Sequence, residues 1–210
     1  MKGLLIKDLI CLKGTIKIYI AMILVFMVLG LVIASGDGGE EGIWTVLGMI
    51  SILAAILPFT SAILDEQAHW DKRALTLPLR RSTVVYSKYL LGGILILGAA
   101  VANLCIGLAA GTELRELLPG IWALVLFSLL MLSLIIPLLL RFGAEKGRFL
   151  MIFIAALLSG LFVTVGSRIG IPGISQASLM RMLLLGSLAV AAIVLISVSI
   201  SLRVYEKKEF

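Results

Sequence analysis

Residues that could do chemistry are few in this chain, and most crowd into one stretch, DEQAHWDKRALTLPLRR, from Asp65 to Arg81. It holds the only histidine, His69, with Asp65, Glu66 and Asp71 nearby. A histidine beside carboxylates can act as a general base or a metal ligand. Either use needs a further group: a nucleophile, a second histidine or a thiolate. Cys11 and Cys105 stand elsewhere, one in the N-terminal segment and one inside an apolar run, at no metal-binding spacing. The residues therefore argue against a catalytic or metal site. They leave two readings, a solvated connection that orients the chain and a handle gripped by another protein.

The pattern within the stretch suits a handle. Asp65 and Glu66 open it, where acidic side chains favour a helix N-terminus. Trp70, Ala74 and Leu77 follow at i, i+4 and i+7, which makes one apolar stripe, with Lys72 opposite and Arg73 at its edge. Pro78 stops the helix and pushes Leu77 towards an extended form. Ser82 is placed to cap a new helix rising through Tyr86 and Tyr89. The spacing predicts a short amphipathic helix, a proline break and a second helix.

The elements that must position this stretch are membrane spans. The 210 residues are 61% hydrophobic and 14% charged, whereas a soluble domain is about 45–50% apolar and about 25% charged. Six runs lack Asp, Glu, Lys, Arg and His: residues 18–35, 43–64, 89–111, 119–140, 149–166 and 182–202. Each can cross about 30 Å of hydrocarbon as a helix, the conformation that satisfies its own backbone in lipid. The expectation is an all-α integral membrane protein with six transmembrane helices, a single transmembrane domain over residues 1–210. The first run, preceded by Lys13 and Lys17, is long for a signal core and reads as an uncleaved span.

Charge sets the expected orientation. Fifteen of the eighteen Lys and Arg fall on one side of the six runs; only Arg115, Arg168 and Arg181 fall on the other. That asymmetry puts both termini in the cytoplasm of a multi-pass cell-membrane protein. The net charge of +6 is then a matter of topology and anionic lipid, with no nucleic acid implied. Before the first span, MKGLLIKDLICLKG places Leu5, Leu9 and Leu12 at helical spacing, with Ile6 and Ile10 beside them and Lys7 and Asp8 opposite. It reads as an amphipathic helix on the inner membrane surface.

The runs hold no charge that could bind a coupling ion, so any transport needs an outside energy source. Their Ser and Thr are expected to bond back to their own helices. Asn103 would seek a partner on another helix or line a path, and Gly107 and Gly111 have the small-xxx-small spacing of a close helix contact. Pro58 and Pro137 allow bends near one end of their helices.

Two stretches carry a family resemblance. Asp65-Glu66, Trp70-Asp71, Leu75-Thr76-Leu77-Pro78 with Arg81, and Ser87-Lys88-Tyr89-Leu90 resemble the first cytoplasmic loop of small ABC exporter permeases of type-2 architecture. Pro137 and then Phe142-Gly143-Ala144-Glu145-Lys146-Gly147-Arg148 are similar to the second cytoplasmic loop of these permeases, including exporters of phenol-soluble modulins and other antimicrobial peptides. The resemblance implies the membrane half of an ATP-driven exporter of amphipathic peptides. A separate cytoplasmic ATPase would dock on residues 65–81 through Glu66, Trp70, Lys72, Arg73, Leu77 and Arg81. Glu145, Lys146 and Arg148 would add a second contact, and a second permease chain would complete the pathway. The chain has no G-x-x-x-x-G-K-[ST] phosphate loop, so ATP and Mg²⁺ are expected on the partner ATPase and no cofactor on this chain. Larger members of that architecture carry a sizeable outer element between the last two spans; here the connection is only residues 167–181. The alternative is a membrane scaffold or accessory subunit that moves nothing.

Overall fold

The computed structural model describes residues 2–35, 39–68, 81–169 and 176–206. All elements among them are helices: α1 (Lys2–Cys11), α2 (Lys13–Ser35), α3 (Gly39–Gln67), α4 (Arg81–Ala109), α5 (Leu114–Ile169) and α6 (Gln176–Glu206). Among the described residues four stretches are long and apolar enough to cross a membrane: Gly42–Gln67, Ser82–Ala109, Leu114–Gly143 and Met180–Tyr205. At 1.5 Å per residue each reaches about 40 Å, more than the hydrocarbon core needs.

The long α5 is two arms joined at one residue. Gly143 has φ 78° and ψ 178°, outside helical space, a conformation that glycine alone adopts without strain. The stretch expected as a second cytoplasmic loop is thus reduced to a break at Gly143. Glu145, Lys146 and Arg148 lie in helix just after it.

The core is built from α3, α4 and the first arm of α5. Leu47 and Ile50 of α3, Ile106 of α4, and Leu117 and Leu124 of α5 are buried together. Further along, Phe59 and Ile63 of α3 meet Met131, Ile135 and Leu139 of α5. Helix α4 runs antiparallel to α3 and to the first arm of α5, which are parallel to each other, as contacts at both ends show. Near one end Trp44 of α3 lies on Gly120 of α5, and Gly107 of α4 touches Leu117. Near the other end Leu4 of α1, Val84 and Val85 of α4, Leu140 of α5 and Tyr205 of α6 share one cluster.

Large apolar side chains also cover the outside. Leu184, Leu185, Leu188 and Leu195 of α6 and Phe149 and Phe153 of α5 are exposed. A surface this apolar belongs against lipid or another chain rather than water.

Helix α1 departs from the expected pattern. Its inward line is Leu4, Asp8 and Leu12, at four-residue spacing, while Ile6 and Ile10 are exposed. Leu12 forms the bend into α2 and packs on Leu57 and Leu91. Asp8, expected on a solvated face, is 1% exposed.

Candidate functional site

The end that gathers α1, the C-terminal turns of α3 and the start of α4 holds four charges in a closed ring. Lys7 Nζ lies 2.6 Å from Asp65 Oδ1, and Asp65 Oδ2 lies 2.5 Å from Lys88 Nζ. Lys88 Nζ lies 3.0 Å from Asp8 Oδ1, which lies 3.0 Å from Lys7 Nζ. Charge alternates around the ring and sums to zero.

Lys88 is its hub. An ammonium has three N–H donors, and Lys88 places them on Asp8 Oδ1, Ser61 Oγ and Asp65 Oδ2. The side chain is 8% exposed, so the full set of acceptors is what makes its burial tolerable. Lys7 is held above the ordinary lysine pKa: burial pulls it down, but the hydrogen bonds and charges of Asp65 and Asp8 outweigh burial.

Helix continuity explains how these groups become buried. Asp65 and Glu66, expected to open a loop, are instead in the last turn of α3, and α4 begins at Arg81, seven residues before Lys88. The helices of the second and third apolar runs therefore extend past those runs, and Asp65 and Lys88, the charged residues just beyond them, are drawn inside the bundle. Apolar residues frame the site: Pro58, Ala62, Val84, Ile136, Leu139 and Tyr205 line a pocket that Asp65, Glu66 and Lys88 also border.

Of the docking residues read from the sequence, Trp70, Lys72, Arg73 and Leu77 lie outside the described residues. Glu66 is exposed, beside Gly143: its Oε1 would sit 3.0 Å from a Cβ placed there. The end of α3 and the break in α5 are thus neighbours. Arg81 is the first residue of α4.

Asn103 fixes a helix contact. It donates to Ser51 Oγ at 2.8 Å and to the Leu47 carbonyl at 3.3 Å, joining α4 to α3. Ser128 of α5 extends the layer by donating to the Ser51 carbonyl at 3.2 Å. Other Ser side chains bond within their own helices, as Ser133, Ser159 and Ser187 do. A third polar layer joins α4 to α6, where Tyr89 Oη meets Ser197 Oγ at 2.6 Å and Ser201 Oγ at 2.9 Å.

Gly107 and Gly111 do different jobs. Gly107 lies in α4, where an added Cβ would stand 2.3 Å from Leu117 Cδ1. Gly111 lies beyond the helix with φ 82°. The Thr112 amide donates to the Gly107 carbonyl and the Gly111 amide to Leu108, both at 3.1 Å. That is a Schellman cap, and Gly111 is its left-handed residue rather than part of a helix-packing face.

Long apolar helices, lipid-suited outer faces and, among the described residues, buried charge confined to one end define a multi-pass helical membrane protein. The model of the ABC-2 family transporter proteins matches residues 3–206, and the chain belongs to that family. It is accordingly a membrane permease component of an ABC transporter, a transport part rather than a catalyst, and the family implies association with an ABC ATPase. No curated protein matches the chain.

Proposed function

We propose that this chain is the membrane half of an ATP-driven exporter, docking a separate cytoplasmic ATPase through the connection between α3 and α4. In this reading all six apolar runs cross the cell membrane, both termini are cytoplasmic and α1 lies on the inner surface. The observation that carries the reading is convergence: α1, the end of α3, the start of α4, the Gly143 break and the end of α6 gather at one end. These are the parts beside which fifteen of the eighteen Lys and Arg fall in the sequence.

Trp70 and Leu77 supply the apolar anchor for the ATPase, and Lys72, Arg73 and Arg81 orient on acidic groups around it. Glu66 flanks this contact on one side, and Glu145, Lys146 and Arg148 brace it from beyond the break. ATP and Mg²⁺ are bound by the partner. Two permease chains, identical or related, form the pathway, and amphipathic peptides are its cargo. Support for the cargo comes from the likeness of the two cytoplasmic stretches to peptide-exporter permeases and from walls of aliphatic, Ser and Asn groups.

The test is co-expression with the ABC ATPase encoded nearest to it, purification through a tag on the permease, and ATP hydrolysis in lipid. The wild type should bring down the ATPase and respond to an amphipathic peptide. Trp70→Ala should weaken the complex by at least about tenfold, as loss of an interface anchor does. Correctly folded chain with no ATPase attached would favour the scaffold role.

A further inference from the structure

The ring is not equally strong around its circumference. Asp65 uses both carboxylate oxygens, one on each lysine, at 2.6 and 2.5 Å. Asp8 uses one oxygen for both lysines, at 3.0 Å each, and its buried Oδ2 has no hydrogen-bond partner. Helix α1 is therefore held unequally: Lys7 ties it tightly to α3 through Asp65, and Asp8 ties it more loosely to α4 through Lys88.

Position gives this asymmetry a consequence. Asp65 and Lys88 stand on the two helix ends that carry the connection between α3 and α4. Asp8 lies between Leu4, on the Val84–Tyr205 cluster, and Leu12, at the bend after α1, on the Leu57–Leu91 cluster. Rotating the α4 end against the α3 end about the Asp65–Lys88 pair moves Lys88 relative to Asp8. A buried ammonium that loses an acceptor is costly, so the contact does not stretch gradually. It is made or broken.

We propose that the ring is a latch and that Asp8 and Lys88 are positioning residues for energy coupling: closed, the ring seats α1 across the ends of α3 and α4; opened at Asp8, it releases α1 from α4, while Lys7 keeps it hinged on Asp65 and Asp65 and Lys88 stay paired. This rests on the docking reading above, because the force that opens the latch is the ATPase acting on the α3–α4 connection. Helix α1 continues through the bend at Leu12 into α2, so release passes the movement to the bundle.

Cys11 is an exposed native reporter at the end of α1. A spin label there, in a Cys105→Ser background and in lipid nanodiscs, reads whether α1 is seated. In the permease alone, Asp8→Asn should shift the seated-to-released ratio about tenfold, as expected for losing charge-assisted bonds. Asp8→Glu, which keeps the charge, should stay near wild type. Adding the ATPase with a non-hydrolysable ATP analogue should move the wild-type label towards the Asp8→Asn spectrum and leave Asp8→Asn unchanged. A label as immobile in Asp8→Asn as in wild type overturns the latch. So does ATPase that binds the wild type without altering Cys11. If the ATPase does not bind the wild type at all, the docking reading fails and the coupling role with it, whereas the permease-only comparison still tests the seat of α1.

Discussion

Asp8 and Lys88, eighty positions apart in the chain, meet at 3.0 Å between Oδ1 and Nζ, with side chains only 1% and 8% exposed. The contact ties the N-terminal helix to the helix ends that flank the most heavily charged connection of the sequence. In an apolar protein such a contact is a commitment. Each charge is tolerable inside only while its partners are present.

Lys88→Met should therefore destabilise the protein by about 3 kcal/mol, because it leaves Asp8 and Asp65 sharing Lys7 alone. Lys88→Arg should cost less, since it keeps the charge but not the compact three-acceptor geometry. Ser61→Ala removes one acceptor at 2.8 Å and should cost about 1 kcal/mol. Thermal unfolding in detergent micelles orders the three; Lys88→Met and Ser61→Ala of equal stability would refute the hub role.

The ring shows where sequence reasoning stopped. The apolar runs located the helices, because a stretch without charge in lipid has few alternatives to helix. The charges next to those runs looked like ordinary termini and orientation signals. Nothing local marks Asp65 or Lys88 as buried: the partner of each lies tens of positions away, and helix continuity past the run is a tertiary decision. Asp8 misled for a different reason. It shares a helix face with Leu4 and Leu12, but a charge on an inward line reads as solvated until its counter-ions are seen. Asn103 was legible as a residue seeking a partner; which helix supplied the partner was not. The spacing of Gly107 and Gly111 matched a packing motif, yet the helix stops at Ala109, so the second glycine serves the cap.

Gly120→Ala tests the close approach of α3 and α5. A Cβ at residue 120 would stand 2.2 Å from the Trp44 ring, and a fused aromatic ring cannot yield as a leucine tip can. The helices must part or the indole must turn, at about 1–3 kcal/mol. Gly93→Ala, where an added Cβ meets nothing within 4 Å, is the control and should be neutral or slightly stabilising in the same unfolding assay.

Asn103→Leu should cost only about 1 kcal/mol. Interhelical hydrogen bonds in membranes contribute modestly, and Asn103 brings an unpartnered buried Oδ1 whose removal offsets part of the loss. Unfolding in micelles measures it. A loss several times larger would mean that the Asn103–Ser51–Ser128 layer acts cooperatively, and the double variant with Ser128→Ala would expose the coupling as non-additivity.

The pH dependence of the ring follows from Lys7, which faces Asp8, Asp65 and Lys88. Its pKa is raised: burial lowers it, and the bonds and charges of Asp65 and Asp8 more than reverse that. Folding therefore favours the protonated form. The stabilisation is complete below the unfolded lysine value of about 10.4 and is lost as pH rises through the higher folded value. Through the neutral range Lys7 should contribute no slope to a stability-versus-pH curve; above about pH 10 it should add a decline. Other lysines titrate there too, so the comparison with Lys7→Arg isolates it, because arginine stays charged throughout. Subtracting the two unfolding curves should leave a difference that grows from about pH 10 upward and is flat below. Superimposable alkaline limbs would show that Lys7 contributes nothing to closing the ring, and would leave Lys88 to hold Asp8 alone.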